Sequence, residues 1–311
     1  VTVLVFYKLA KLVFPKNKLG VMASTTVFAV FSSIHTFEGN VGNAENFMLL
    51  PTMIGFYLIF KHTRYLFGAG LFFGLAALFK IPAAFDFLAA LIFLLFFLNR
   101  KNWSVIFGRW LLLIFGFFLP VLVTIIYFFS KKALNQYLVA AFFQNIPYLS
   151  SWTQNKLQAV GLPLPLLTRG FLVLALIFGL YLSRKKISMA AKLILIWFSF
   201  SLFAALLSSR PYPHYLLQLL PSLSLSFGLI FSQAKERIIP LILSLILILS
   251  ISVFKFWHYP NLSYYLNFYQ FAFKMKSQEE YFSLFDGQAR TIYQVADYIQ
   301  TSTQPQERIF I

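Results

Sequence analysis

Ser208-Ser-Arg-Pro-Tyr-Pro-His-Tyr215 is the stretch of this sequence best equipped for chemistry. It gathers Arg210, a guanidinium able to grip a phosphate by two parallel bonds, with the imidazole of His214 and the phenols of Tyr212 and Tyr215. A lone His or Tyr beside an apolar run carries little meaning, but four such groups in one short segment mark a site for an anion. Two distant residues have charges suited to join it. Lys80, in Leu78-Phe-Lys-Ile-Pro82, ends an apolar run and either snorkels to the interface or offers a cation to a lipid phosphate, with Asp86 as an offsetting charge. Glu45, in Asn43-Ala-Glu-Asn-Phe47, opens another run and is either a first-turn carboxylate favoured by the helix dipole or a site residue. Glu38 reads as a solvated loop residue, and Glu236 as part of a basic break. Other catalytic signatures are missing from the sequence: no Walker loop, GxSxG elbow, HExxH helix or Cys/His metal spacing, and four dispersed histidines.

These side chains are far apart along the chain, so the intervening elements decide whether they meet. Of 311 residues, 59% are hydrophobic and 11% charged, against about a quarter charged in soluble domains. Apolar runs of spanning length recur from end to end without the alternation of barrel strands, which makes the bilayer the solvent and helices the spanning element. The pattern predicts the end of one helix over 1–14, then helices over 19–37, 47–60, 65–80, 83–98, 105–129, 166–182, 187–207, 215–231 and 238–256. That is nine complete spans and a partial first one. Basic groups near Lys8, Lys61, Arg100, Arg184 and Arg237 fall on alternate connections and mark the cytoplasmic side, leaving Glu38, Glu45, Lys80, Asp86 and Arg210 toward the outer face. The connection 130–165, with Tyr137, Phe142, Phe143, Tyr148 and Trp152, reads as a loop on the membrane surface.

The formal charge of +17 is scattered in small groups between apolar runs, with no basic face to follow a phosphate backbone, so nucleic acid is excluded as a partner. The absence of cysteine excludes disulfides and thiolate metal sites. Beyond Trp257 the composition changes, because five of the nine acidic residues lie between Glu279 and Glu307. A second, soluble unit is therefore expected over 258–311, with a helix carrying Ile292, Val295, Ala296 and Ile299 and the start of a buried strand at 308–311. The expected fold is an all-α polytopic membrane helix bundle over 1–257, joined to the beginning of a small extracytoplasmic α/β domain. Val1 already lies inside an apolar run and the last strand lacks a partner, so the natural chain is expected to extend at both ends.

On these residues the chain resembles the polytopic, GT-C-like glycosyltransferases that use polyprenyl-phosphate sugars, the superfamily of protein O-mannosyltransferases and the aminoarabinose transferase of lipid A. The likeness lies in the order of short segments over nearly the whole chain. They are a basic helix end at Tyr7–Phe14, an acidic loop at Asn43–Phe47, a glycine-rich helix ending in Lys at Gly70–Lys80, and the late motif Arg210–Pro221. The resemblance implies an integral protein of a bacterial or archaeal cell membrane that builds cell-envelope glycan. It would move a hexose or pentose with inversion from polyprenyl phosphate to a lipid, glycan or protein hydroxyl. It further implies Glu45 as a catalytic residue that orients the acceptor or holds a divalent metal with His214. Asn43, Lys80, Arg210, Tyr212, His214 and Tyr215 would bind substrate. The family's catalytic Asp, in a large outer loop after the first helix, has no counterpart here. The resemblance places it upstream of Val1 and expects the chain as given to be inactive alone. The competing reading is a multi-pass transporter or lipid flippase, which would show repeats and ionisable groups near the midplane. No repeat is visible in the sequence. A non-catalytic scaffold gives no reason for Arg210 and His214 to share a segment.

Overall fold

A computed structural model describes residues 1–97, 103–148, 166–208, 212–232, 234–254, 256, 261–285, 288–304 and 306–307. The chain divides into two compact units, Val1–Trp257 and His258–Ile311. Among the described residues the regular structure is all helical, without a strand.

The first unit begins with α1 (Thr2–Val13), α2 (Lys18–Phe31), α3 (Ala44–Lys61), α4 (Leu66–Phe79), α5 (Ala84–Phe97) and α6 (Trp103–Ser130). It continues with α7 (Leu134–Leu138), α8 (Asn145–Tyr148), α9 (Leu166–Leu182), α10 (Met189–Ala205), α11 (Leu220–Gly228) and α12 (Ile238–Val253). A 3₁₀ segment, Pro213–Leu219, leads directly into α11. Among the described residues, three stretches are long and apolar enough to cross a membrane: Ser104–Ser130, Pro213–Phe231 and Ala234–Val253. Further apolar helices, including Lys18–Phe31, Thr63–Phe79 and Met189–Ala205, fall in the range of 10–17 residues. A hydrocarbon core of about 30 Å needs roughly 20 helical residues, so length alone does not give the nine complete spans expected. The difference has local causes. Pro82 lacks the N–H that would continue α4, which ends at Phe79, and α2 stops at Phe31 before a 3₁₀ turn at His35–Phe37.

The expected surface loop after α6 is also partly helical. α7 and α8 flank a π-helical turn at Val139–Phe143. Tyr137 stacks on Phe128 with centroids 4.4 Å apart, and its hydroxyl lies 2.8 Å from that of Thr124. The aromatic residues read as interfacial thus include one that fastens this segment to α6. Trp152 lies outside the described residues.

Apolar side chains dominate the outside of the first unit. Phe115, Phe118 and Val123 of α6, Phe171 and Leu174 of α9, and Leu241 and Ile248 of α12 are all exposed. Polar groups sit within: Glu45, Asp86, Ser201, Gln218 and Glu236 are buried. A surface of this kind suits lipid, where helix association depends on close packing and hydrogen bonds instead of apolar burial. Glu236, expected in a basic break, accepts from the Ser188 backbone at 2.7 Å and from its hydroxyl at 2.8 Å, fixing the residue that caps α10.

Close packing is clearest between α4 and α6, where Gly70 and Gly116 face one another. A Cβ at Gly70 would strike the Leu113 carbonyl, and one at Gly116 the Phe67 carbonyl. Gly70→Val should therefore cost about 1–3 kcal/mol by forcing the helices apart. Thermal unfolding in detergent measures this, and an unchanged midpoint would show that the two backbones do not touch.

The second unit contains α13 (Asn261–Ala272), α14 (Gln278–Phe282) and α15 (Gln288–Ser302). α14 opens with a capping box between Ser277 and Glu280, and Phe271 stacks on Tyr281 at 4.5 Å. The helix expected around Ile292 and Val295 is α15, with both residues exposed. The strand expected at 308–311, and with it the α/β character, lies outside the described residues.

Candidate functional site

Lys80 follows the last turn of α4 with an extended backbone, and the start of the 3₁₀ turn at Pro82 turns the chain away from it. Its ammonium forms an ion pair with Glu45 in the first turn of α3 and lies 4.0 Å from the centroid of the Tyr215 ring. The Glu45 side chain is 3% exposed, against 25% for Lys80. The pair therefore joins a buried carboxylate to a cation that still reaches the surface, and the Tyr215 face adds a cation–π contact. Both readings of Glu45 apply: it occupies a helix N-terminus and belongs to the cluster. Asp86 does not offset Lys80.

Glu38 is a buried member of this cluster, correcting its reading as a solvated loop residue. Its backbone is left-handed, with φ of 53°, a conformation costing roughly 1–2 kcal/mol for a residue with a Cβ. Hydrogen bonds hold it there: its N–H donates to His35 and its carbonyl accepts from Val41. Its Oε2 receives Asn43 Nδ2 at 3.0 Å and His214 Nδ1 at 2.8 Å. Asn43 thus serves the cluster by positioning Glu38. Because the carboxylate oxygen accepts, His214 Nδ1 carries the proton, and in the neutral ring Nε2 keeps its lone pair. That nitrogen lies 4.0 Å from Glu45 Oε1. Tyr212 stacks on the imidazole at 5.6 Å, and Tyr215 meets it edge-on at 4.9 Å. Four expected site residues, Glu45, Lys80, His214 and Tyr215, are therefore linked pair by pair, with Asn43 and Tyr212 beside them. Arg210 lies outside the described residues.

A cavity of about 890 Å³ opens beside the ion pair. Phe79, Phe85, Phe117 and Phe142 are among its many apolar walls, while Glu45, Lys80, Tyr215 and Gln218 contribute polar groups. An apolar chamber with an ion pair in its wall has the chemistry to hold an amphiphile.

Behind the wall lies a polar cluster that was not foreseen. Asp86, 1% exposed, accepts from Trp197 Nε1 at 2.7 Å, Ser201 Oγ at 3.1 Å and Gln218 Nε2 at 2.8 Å. Gln218 uses its second amide hydrogen on the Pro82 carbonyl, at 3.0 Å. One side chain therefore ties the turn that carries Lys80 to the 3₁₀ segment that carries His214 and Tyr215. The 3₁₀ repeat of three residues per turn places Tyr215 and Gln218 on the same edge, and both line the cavity. A signal existed in the sequence: Gln218 interrupts Leu216-Leu-Gln-Leu-Leu220, where an amide in an apolar run requires a partner.

The proposed Glu45–His214 metal pair does not fit these residues. Glu45 already holds Lys80, His214 turns a proton toward Glu38, and among the described residues no group of three or more His, Cys, Asp or Glu is arranged to hold a metal ion. In comparisons with known proteins, no family model, curated protein or solved structure matches the chain.

Proposed function

We propose that this chain is the polytopic membrane part of a glycosyltransferase that takes its sugar from a polyprenyl-phosphate donor. The observation that carries the reading is the apolar cavity lined by the Lys80–Glu45 pair and Tyr215, with His214 against Glu45. The polyprenyl tail would occupy the cavity and the phosphate would meet Lys80. As an acceptor hydroxyl attacks the anomeric carbon, the bond from that carbon to phosphate breaks and negative charge grows on the leaving oxygen. A fixed cation there stabilises the transition state more than the ground state. Glu45 sets the position of Lys80 before the lipid arrives, and Arg210 would add a second cation. The acceptor is a lipid, glycan or protein hydroxyl at the outer face of a cell membrane, where the unit beginning at His258 would also lie. A transporter reading draws less support, since buried Asp86 is held by three donors and forms part of a structural network.

The test is transfer from a labelled polyprenyl-phosphate sugar by the purified chain in lipid nanodiscs and by any longer natural form of it. Glu45→Gln, Lys80→Ala and Arg210→Ala are each expected to lower turnover by about tenfold or more, the loss of a charged hydrogen bond in the transition state. Wild-type turnover in all three folded variants would reject this site.

A further inference from the structure

Resting on the membrane part of that reading, we infer that α13, the first helix of the second unit, lies in the headgroup layer of the bilayer with its outer face on lipid. The helix is built inside out. Tyr264, Asn267 and Phe271, at helical spacing, face the rest of their unit. Tyr264 meets Phe285 edge-on at 6.0 Å, and Phe271 stacks on Tyr281 at 4.5 Å. Between them Asn267, 2% exposed, donates to the Tyr281 carbonyl at 2.8 Å and accepts from Lys276 Nζ at 3.1 Å. The opposite side carries Leu266, Phe268, Tyr269 and Phe273, all half or more exposed, with the rings of Tyr269 and Phe273 4.6 Å apart. A polar amide is kept inside and aromatic side chains outside, the reverse of a helix that faces water.

Charge and position name lipid as what covers that face. No charged residue occurs in α13 from Asn261 to Ala272, whereas α15 sets Arg290 and Asp297, of opposite sign, among its exposed apolar residues. Tyr and Phe without charge suit the headgroup level of a bilayer. α13 begins at Asn261, eight positions after α12 ends at Val253, and a chain of that length reaches no farther than about 28 Å. The start of α13 is therefore tethered close to the end of an apolar stretch long enough to cross a membrane, Ala234–Val253. The connecting sequence contains Trp257 and Tyr259, residue types that collect at the membrane boundary. Lys274 and Lys276 follow the helix directly, and their ammonium groups have the charge to meet lipid phosphates while their stems lie along the apolar face.

The chain contains no cysteine, so single cysteines can be introduced and spin-labelled in the whole chain, held in nanodiscs of phosphatidylcholine and phosphatidylglycerol. Labels at Phe268→Cys and Tyr269→Cys are read for collision with oxygen, which concentrates in lipid, and with a water-soluble nickel chelate. Tyr298→Cys in α15 gives the aqueous reference and Phe115→Cys in α6 the hydrocarbon reference, all four side chains being exposed. The inference predicts high oxygen and several-fold lower nickel collision at both α13 positions than at Tyr298→Cys. It also predicts a depth of about 5–10 Å into the boundary between headgroups and acyl chains. Replacing Leu266 and Phe273 together by Asp should release both labels to the nickel reagent. Nickel collision equal to that at Tyr298→Cys puts the face in water, and low collision with both reagents puts it against protein, a second copy or a further segment of chain. Either result overturns the inference, as does a depth unmoved by the two Asp substitutions, and each leaves the glycosyltransferase reading standing. Free nickel access at Phe115→Cys removes the membrane reading itself, whatever α13 does.

Discussion

Lys80→Ala is expected to melt well below wild type and to bind undecaprenyl phosphate about 10- to 100-fold more weakly, as loss of a charged hydrogen bond worth about 1.5–3 kcal/mol requires. The two losses have different origins. Without the ammonium, the Glu45 carboxylate is left at 3% exposure with His214 Nε2 still 4.0 Å away. Removing one partner of a buried pair typically costs about 3–5 kcal/mol, because the remaining charge is uncompensated. Glu45→Gln added to Lys80→Ala removes that charge and should restore most of the stability, but none of the affinity. Thermal unfolding and lipid binding on the single and double variants separate the effects. A single variant as stable as wild type would mean that Glu45 and Lys80 are not paired in the protein, and affinity regained by the double variant would remove Lys80 from the phosphate site.

The second large effect belongs to Asp86. Asp86→Ala strands Trp197 Nε1, while Ser201 can fall back on the Trp197 carbonyl at 2.7 Å and Gln218 keeps the Pro82 carbonyl. With each unsatisfied buried donor costing about 1–3 kcal/mol, and the empty volume adding to it, a loss of roughly 3–5 kcal/mol is expected. Asp86→Asn keeps the shape and an oxygen for Trp197 and Ser201 but turns its own N–H toward Gln218 Nε2. It should therefore fall between Asp86→Ala and wild type. Lipid affinity should decline in the same order, although Asp86 itself does not line the cavity, because Gln218 links the turn at Pro82 to the segment of Tyr215. Equal stability of Asp86→Ala and wild type in thermal unfolding would refute the network.

The helices of the first unit were legible because their sequence runs are continuous and apolar, and a charged or proline-bearing break is visible wherever a run ends. Their lengths were less so. Hydropathy does not register that Ser32-Ser33 and Pro82 halt a helix while the sequence remains apolar beyond them. Glu45, Lys80 and His214 stood out as rare ionisable groups at run ends, a matter of residue type. Their partners did not, since Glu38 and His214 are 176 positions apart and spacing along a chain carries no distance across a bundle. Glu38 was misread for a related reason: Glu38-Gly-Asn-Val-Gly-Asn has the composition of an open loop, and only the left-handed turn draws its carboxylate inward. Asp86 was paired on sequence with its nearest cation, Lys80, whereas the structure satisfies it with neutral donors from α10 and the 3₁₀ segment.

The donors of Asp86 have a consequence for how the chain is made. They arrive 111, 115 and 132 residues later, so α5 leaves the ribosome long before any of them exists. An Asp at the centre of an inserting helix costs about 2.5–3.5 kcal/mol, and each Leu, Ile or Phe returns about 0.3–0.6. In the membrane reading proposed above, ten such residues in α5, with its Asp near the first turn, would let the helix enter the bilayer unaided. Its carboxylate would then wait until the segment bearing Gln218 had been made, 132 residues later, and the interior of the bundle would close only with that segment in place.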